Sequence, residues 1–205
     1  MPRPPRLERA ATVQIVRVES CHLAMLTPAT DQLLDAFKYQ RDLTAGSILS
    51  ASLASLLDWF TREVDLTASQ TVLTWVPTFL GPRSPRLFDH LESLLLDDRF
   101  VQPLLRRVGL RQPRPLLDKI KNTPKMAHTR FLEPGNRKRL TIDIARSLRI
   151  DSNNSHSLRD CTLVILDDVI GTHTTLDACV SVLSALEPSS VFSLALFKRE
   201  VENCG

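Results

Sequence analysis

The chain has 205 residues, of which 43% are hydrophobic and 24% charged, and its formal net charge is +3. This length allows one ordinary domain with an extension, and the composition excludes an intrinsically disordered chain. The four cysteines form no Cys-x-x-Cys pair, and no stretch has the apolar length of a membrane span or the pattern of a signal peptide. We therefore expect a cytoplasmic protein that enters no membrane, with a disordered basic tail over residues 1–9 and a single domain over residues 10–205.

The first half of the chain predicts helices between two strands. Residues 12–18 alternate apolar and polar side chains, as a strand does. Apolar residues recur at three- and four-residue steps over residues 30–60, which predicts two helices separated near Gly46. Residues 71–76 predict a buried strand that ends at a proline, and residues 88–96 resume the helical spacing.

The second half predicts a strand, a helix and another strand. Residues 161–166 are an uninterrupted apolar run of the kind that is buried on both faces of a parallel sheet. A helix over residues 174–186 and a strand over residues 191–197 follow, and this order is a βαβ unit. We therefore expect an α/β fold with a mostly parallel central sheet flanked by helices.

The middle of the chain is basic. Residues 99–149 hold 14 of the 26 Lys and Arg residues but only three of the 23 Asp and Glu residues. Such a patch suits phosphate, pyrophosphate or nucleic acid, and a solvated helical face without a specific ligand is the alternative. Within it, residues 113–139 show no apolar period, which predicts a long loop or β-arm of the kind that often acts as a lid.

The clearest chemical signal lies where the strand at residues 161–166 meets Asp167 and Asp168, just before a helix whose start is rich in threonine. Ligands of open α/β sheets bind at the carboxyl ends of strands. The free N–H groups of a helix start, together with threonine hydroxyls, make a phosphate cradle. The two carboxylates could accept hydrogen bonds from sugar hydroxyls, or could simply end the strand and cap loop N–H groups.

Residues 164–176 read Val-Ile-Leu-Asp-Asp-Val-Ile-Gly-Thr-His-Thr-Thr-Leu. This segment resembles the phosphoribosyl pyrophosphate (PRPP) motif of type I phosphoribosyltransferases, in which an apolar run precedes Asp-Asp, two apolar residues and Thr-Thr-Gly-x-Thr-Leu. Residues 33–39, 75–77 and 121–136 also follow the order found in ComF-like proteins, which are named for bacterial DNA-uptake competence. The resemblance spans about residues 32–198.

The resemblance implies a type I phosphoribosyltransferase-like fold with a flexible hood at about residues 113–139. It makes Asp167 and Asp168 the catalytic pair, which would hold the ribose 2′- and 3′-hydroxyls. Five consecutive residues would wrap the 5′-phosphate: Gly171, Thr172, His173, Thr174 and Thr175. Basic residues of the loop after the strand at 71–76 and of the hood would meet pyrophosphate: Arg83, Arg86, Lys121 and Lys125. The implied cofactor is Mg²⁺, held through oxygens of PRPP rather than by direct protein ligands.

The segment also departs from the family pattern. His173 stands where the motif has glycine, and its Cβ restricts the backbone conformations that glycine allows. It could block the phosphate loop, donate to the phosphate as an imidazolium, or point to solvent. Gly171 replaces the first threonine, and Lys125 and Glu133 stand where ComF-like proteins often have Gln and Arg.

Three functions follow as hypotheses. The first is transfer of phosphoribose from PRPP to an unidentified acceptor, or the reverse pyrophosphate-dependent cleavage, a glycosyltransferase reaction of nucleotide metabolism. The second is a catalytically weak module that senses PRPP or a nucleotide, or binds DNA through residues 99–149 in competence-like or defence-related processing. The third is a structural subunit. Whether the protein is an enzyme, and whether it forms a homodimer, stays open. Four histidines have no metal-like spacing and are read as ordinary surface or core residues: His22, His90, His128 and His156.

Overall fold

The computed structural model describes residues 18–64, 70–80, 84, 88–123, 134–153 and 158–200. Their centre is a four-stranded, entirely parallel sheet in the order β1, β6, β5, β2. The strands are β1 (Val18–Met25), β2 (Thr71–Trp75), β5 (Thr162–Ile170) and β6 (Ser190–Lys198). A second, antiparallel pair joins β3 (Leu117–Lys119) to β4 (Leu148–Ile150). The fold class is therefore α/β with helices on both faces of a parallel sheet, as expected.

Four helices cover one face of the sheet, which we call the first face. They are α1 (Pro28–Gln40), α2 (Leu43–Glu63), α3 (His90–Leu95) and α4 (Val101–Arg107). The break between α1 and α2 lies at Arg41 and Asp42, where Asp42 caps α2, and not near Gly46 as the sequence suggested. Gly46 is instead the contact between these helices, because a Cβ there would lie 2.6 Å from the Phe37 ring.

The second face is covered by α5 (Pro134–Ala145), α6 (Thr174–Leu183) and the β3–β4 pair. The strand, helix and strand of the predicted βαβ unit are β5, α6 and β6, which confirms the parallel pairing. A short 3₁₀ turn, Ser184–Leu186, completes the span predicted as one helix.

Several predicted boundaries need correction. The described strand near the start of the chain is Val18–Met25, whereas residues 12–17 lie outside the described residues. The segment at 113–139 was expected to be a long loop or β-arm, but its described residues include β3 and the first half of the helix α5. Farther along α5, Leu140 and Ile144, one helical turn apart, pack into the second core and reveal a helix that the surrounding basic residues obscure.

Helix α2 is long and apolar enough to span a membrane by length and composition alone. This amends the expectation that no stretch approaches such a length. In the fold, Leu49, Leu53 and Leu57 of this helix are buried in the first core. The core helix of a folded domain meets the same criterion.

The basic segment at 99–149 is divided between the two faces of the sheet. Arg107 lies in α4 on the first face, whereas Arg149 lies in β4 on the second. Each is paired with a carboxylate, Arg107 with Asp58 at 2.7 Å and Arg149 with Asp118 at 3.1 Å. The described basic residues of this segment therefore do not all lie on one side of the fold.

Candidate functional site at the carboxyl ends of β2 and β5

Strands β2 and β5 lie side by side, but the chain leaves them in opposite directions. After β2 it continues into α3 on the first face, and after β5 it continues into α6 on the second face. A crevice of this kind, outside the carboxyl ends of adjacent parallel strands, is where ligands bind in open α/β sheets. The predicted site at residues 167–175 lies at this crevice.

Strand β5 extends beyond its neighbour at the crevice. Its last hydrogen bond on the β2 side joins Val76 N–H to the Leu166 carbonyl at 2.9 Å, and the chain then leaves at Pro77, which has no N–H to donate. On the β6 side, the pairing continues to Ile170, level with Lys198. The strand is thus longer than the predicted 161–166, and the two aspartates lie within it rather than after it.

The two neighbouring carboxylates lie on opposite faces of the sheet, as successive strand residues do. Asp168 contacts Lys38 of α1 and His90 of α3, which belong to the first face. Asp167 lies level with Ala195, whose side chain belongs to the second core, and it is only half-buried. One carboxylate is therefore enclosed by helices, and the other is accessible from the side of α6.

Asp168, Lys38 and His90 form a buried ionic cluster. The Lys38 ammonium pairs with Asp168 Oδ2, and His90 Nε2 donates to the same oxygen at 2.5 Å. Burial alone would raise the pKa of Asp168, but the Lys38 charge and the His90 hydrogen bond outweigh it and hold that pKa well below its usual range. Asp168 is therefore ionised, and it ties α1 and α3 to β5.

His90 also belongs to the base of the β2–α3 connection. Its Nδ1 lies 3.4 Å from Thr78 Oγ1, while the neighbouring Asp89 accepts from the Thr78 amide at 3.1 Å and from the Trp75 indole at 3.3 Å. Asp89 also caps α3. These contacts hold the two ends of this connection together beside the carboxyl end of β5.

The loop between β5 and α6 supplies polar groups on the other side of the crevice. The hydroxyls of Thr172 and Thr174 are 2.8 Å apart, and each can still form another hydrogen bond. The first amides of α6 have no partner within the helix, and the N-cap side chain makes no capping hydrogen bond to them. A Cβ placed on Gly171 would meet nothing within 4 Å, so space is open there. This arrangement can accept an anion.

His173, the N-cap of α6, has left-handed backbone angles, φ 60° and ψ −5°. This is the region that glycine occupies freely and that other residues enter at a cost of about 1–2 kcal/mol. Histidine is among the side chains that tolerate it better than most. A residue other than glycine therefore occupies a position whose backbone favours glycine.

Negative charge also lies near the start of α6. Burial raises the pKa of Cys179, and the nearby Asp167 carboxylate raises it further, whereas Lys119 of β3 opposes this effect. Asp177, in the first turn of the helix, has a pKa raised by partial burial and opposed by the imidazole of His173. A bound anion would therefore have to share this end of the helix with two carboxylates.

The structure brings together the predicted residues Asp167, Asp168 and the loop at 171–175. Lys121 is an exposed residue just after β3, whereas Arg83, Arg86 and Lys125 lie outside the described residues. The sequence reading missed the roles of Lys38 and His90. Lys38 could have been noticed, because a lysine occupies a helix position one turn after the core residue Leu34.

No group of three His, Cys, Asp or Glu residues within the described ranges could hold a metal ion. An open groove of about 440 Å³ lies elsewhere, at the C-terminal ends of α2 and α4, and is lined in part by Asp58, Arg62 and Arg107. The two arginines both pair with Asp58. This groove contains none of the residues of the crevice.

No family model matches the chain, and no curated protein matches it.

Proposed function

We propose that this chain is a phosphoribosyltransferase-like protein that binds PRPP or a ribose 5-phosphate nucleotide in the crevice between β2 and β5. The observation that carries the proposal is that two kinds of binding group lie together near the carboxyl end of one strand. A carboxylate, Asp167, lies beside a helix start with open space and threonine hydroxyls. A sugar phosphate needs both an acceptor for its hydroxyls and donors for its phosphate.

The phosphate would bind to the first amides of α6 and to the hydroxyls of Thr172 and Thr174. Each amide or hydroxyl bonded to a charged phosphate forms a charge-assisted hydrogen bond, which is stronger than a neutral one. Open space at Gly171 admits the phosphate next to the backbone. Ribose would then lie beside the part of β5 that extends beyond β2, where the carboxylates of Asp167 and Asp168 can accept from its hydroxyls.

The reaction that we propose is transfer of phosphoribose to an acceptor whose identity is open. The bond between C1 of ribose and pyrophosphate breaks, the acceptor forms the new bond to C1, and pyrophosphate leaves with the bonding electrons. Mg²⁺, carried by the phosphate oxygens of PRPP, would neutralise charge on the leaving pyrophosphate. The chain's own contribution is to hold the 5′-phosphate and the ribose hydroxyls so that C1 faces the acceptor.

A second candidate is binding without transfer, in which the protein senses PRPP or a nucleotide. The observation in its favour is that parts of the expected hood belong to the fold. Lys119 lies in a strand paired with β4, and residues 134–139 lie in α5. Fewer residues are then available to close over pyrophosphate and exclude water.

Calorimetry and pyrophosphate release separate these functions. We expect saturable binding of PRPP in the presence of Mg²⁺, weakened about tenfold or more by Asp167→Asn, since hydrogen bonds to charged groups contribute about 1.5–3 kcal/mol. Asp98→Asn, which changes an exposed carboxylate beyond the end of α3, is the matched control and should bind as wild type does. Pyrophosphate release with a panel of nucleobases supports transfer, and binding without release supports sensing. If neither PRPP nor AMP binds, both candidates are wrong.

A further inference from the structure

In the cluster of Lys38, Asp168 and His90, both partners of the carboxylate bind the same one of its two oxygens. Lys38 Nζ and His90 Nε2 both contact Oδ2. Among the described residues, the hydrogen bonds and ion pairs of the Asp168 carboxylate all go to Oδ2, and the side chain is 12% exposed. Oδ2 is thus held by side chains of α1 and α3, while Oδ1 can still accept a hydrogen bond.

The position of Lys38 is unusual for a residue with only a packing role. It follows Leu34 and Phe37 on the buried side of α1, where an apolar side chain would avoid the cost of desolvating an ammonium group. Buried ion pairs are often less stabilising than apolar residues of similar size. Stability alone therefore gives a weak reason for a lysine here.

Asp168 is likewise an unusual residue for a buried strand. Residues 163–166 are apolar and buried, and Asp168 follows shortly after them at the carboxyl end of a parallel strand, where ligands bind. It is next to a second carboxylate, Asp167. The Lys38 ammonium against Oδ2 favours the ionised form of Asp168 and holds its side chain in one orientation.

We propose that Lys38 and His90 are positioning residues, which hold Asp168 by Oδ2 so that Oδ1 accepts a hydrogen bond from a hydroxyl of the bound sugar. The inference rests on the proposed function, because it needs a sugar phosphate in the crevice. Lys38 and His90 themselves contact neither the sugar nor the phosphate. Their effect passes through Asp168.

The test compares two probes in calorimetry, ribose 5-phosphate and inorganic phosphate. Both use the cradle at the start of α6, but only ribose 5-phosphate uses Asp168. Lys38→Met should weaken binding of ribose 5-phosphate about tenfold or more, as the loss of an aligned hydrogen bond to a charged group would, and should leave binding of phosphate unchanged. Lys38→Arg, which keeps a cation within reach of Oδ2, should restore most of the difference. Arg107→Met, which breaks an ion pair outside the crevice, should change neither affinity.

His90→Asn is the second variant, in case Lys38→Met does not fold. Its shorter side chain withdraws from Oδ2 while Lys38 remains, so a smaller loss of ribose 5-phosphate binding, again without loss of phosphate binding, is expected. If the folded variants lose both probes equally, or neither, the cluster is structural only and the inference is overturned while the proposed function stands. If the wild-type protein binds neither probe, the proposed function fails, and this inference fails with it.

Discussion

The two sides of the carboxyl end of β5 differ in nearly every physical respect. On the first face, Asp168 is enclosed by α1 and α3 and paired with Lys38 and His90. On the second face, Asp167 is half-buried, and the neighbouring loop carries a strained residue, His173, and open space at Gly171. Adjacent identical residues thus have different surroundings. On the first side the carboxylate is fixed by its ion-pair partners, and on the second side it lies beside open space.

The largest expected effect is on stability, because the two carboxylates should contribute differently to the free energy of unfolding. Asp168→Asn leaves the Lys38 ammonium buried without its counter-charge, which should lower the free energy of unfolding by about 3–5 kcal/mol. Asp167→Asn should lower it by no more than about 1 kcal/mol, because that side chain is half-buried and water can still solvate the groups around it. Urea unfolding of both variants measures the difference.

A double variant makes the same comparison sharper. Adding Lys38→Met to Asp168→Asn removes the orphaned charge and should recover part of the lost stability. Equal losses for the two single asparagine variants would show that the enclosed and the accessible carboxylate contribute equally to stability, so that the two sides of β5 do not differ in this respect.

The loss of stability at low pH should show a second, smaller effect of the Asp168 cluster. The pKa of Asp168 is held below the value of about 3.9 that an unfolded chain gives. A carboxyl group whose pKa is lower in the folded state adds stability that is complete above the unfolded pKa and is lost as the pH falls through the folded pKa. The amount is about 1.4 kcal/mol for every tenfold difference between the acid dissociation constants of the folded and unfolded states.

We therefore expect the wild-type protein to lose stability from about pH 5 downwards, and Asp168→Asn to lose less over the same range. Urea midpoints at about pH 5 and pH 3 measure this, with Asp98→Asn as the control that should follow wild type. Parallel pH profiles for wild type and Asp168→Asn would mean that the cluster is not the source of acid sensitivity.

The smallest expected effect belongs to the loop. Because His173 has φ 60°, His173→Gly should be more stable than His173→Ala by about 1 kcal/mol, since both lose the imidazole but only glycine removes the Cβ. Thermal or urea unfolding measures this pair. Phosphate binding by the same proteins distinguishes the roles of His173: tighter binding in the glycine variant indicates obstruction, and weaker binding indicates donation. Equal stability of the two variants would mean that the left-handed backbone is without strain.

The sequence predicted the parts of the fold whose signals are local. The apolar runs of β5 and β6 and the helix between them were found at nearly the right residues, because strand and helix periods repeat within short windows. The end of β5 was missed, since Asp167 and Asp168 read as a strand end, and only pairing with β6 carries the strand on to Ile170. That pairing depends on residues distant in the sequence.

The residues of the candidate site also differ in how well the sequence predicts them. The loop at residues 171–175 is contiguous and belongs to one sequence motif, whereas the Lys38 cluster joins residues from three separate elements and no local pattern relates them. Glycine often interrupts helices, so the sequence predicts the helix break near Gly46. Here Asp42 supplies the cap, and Gly46 is small to let the Phe37 ring approach. Close packing between helices is a tertiary property, so it produces no periodic pattern in the sequence.

The pairing of β1 with β6 has a consequence for how the chain acquires its structure during synthesis. Within the described sheet, β1 has no neighbour other than β6, and Val18 lies opposite Val191. A nascent chain that has already emerged through β1, α1 and α2 must therefore wait for nearly all the described residues before its first strand finds its partner. Pairing across so long a loop is slow, and strand edges exposed meanwhile invite aggregation. The first face can assemble helix on helix as it emerges, but the crevice comes into being only with the last strands.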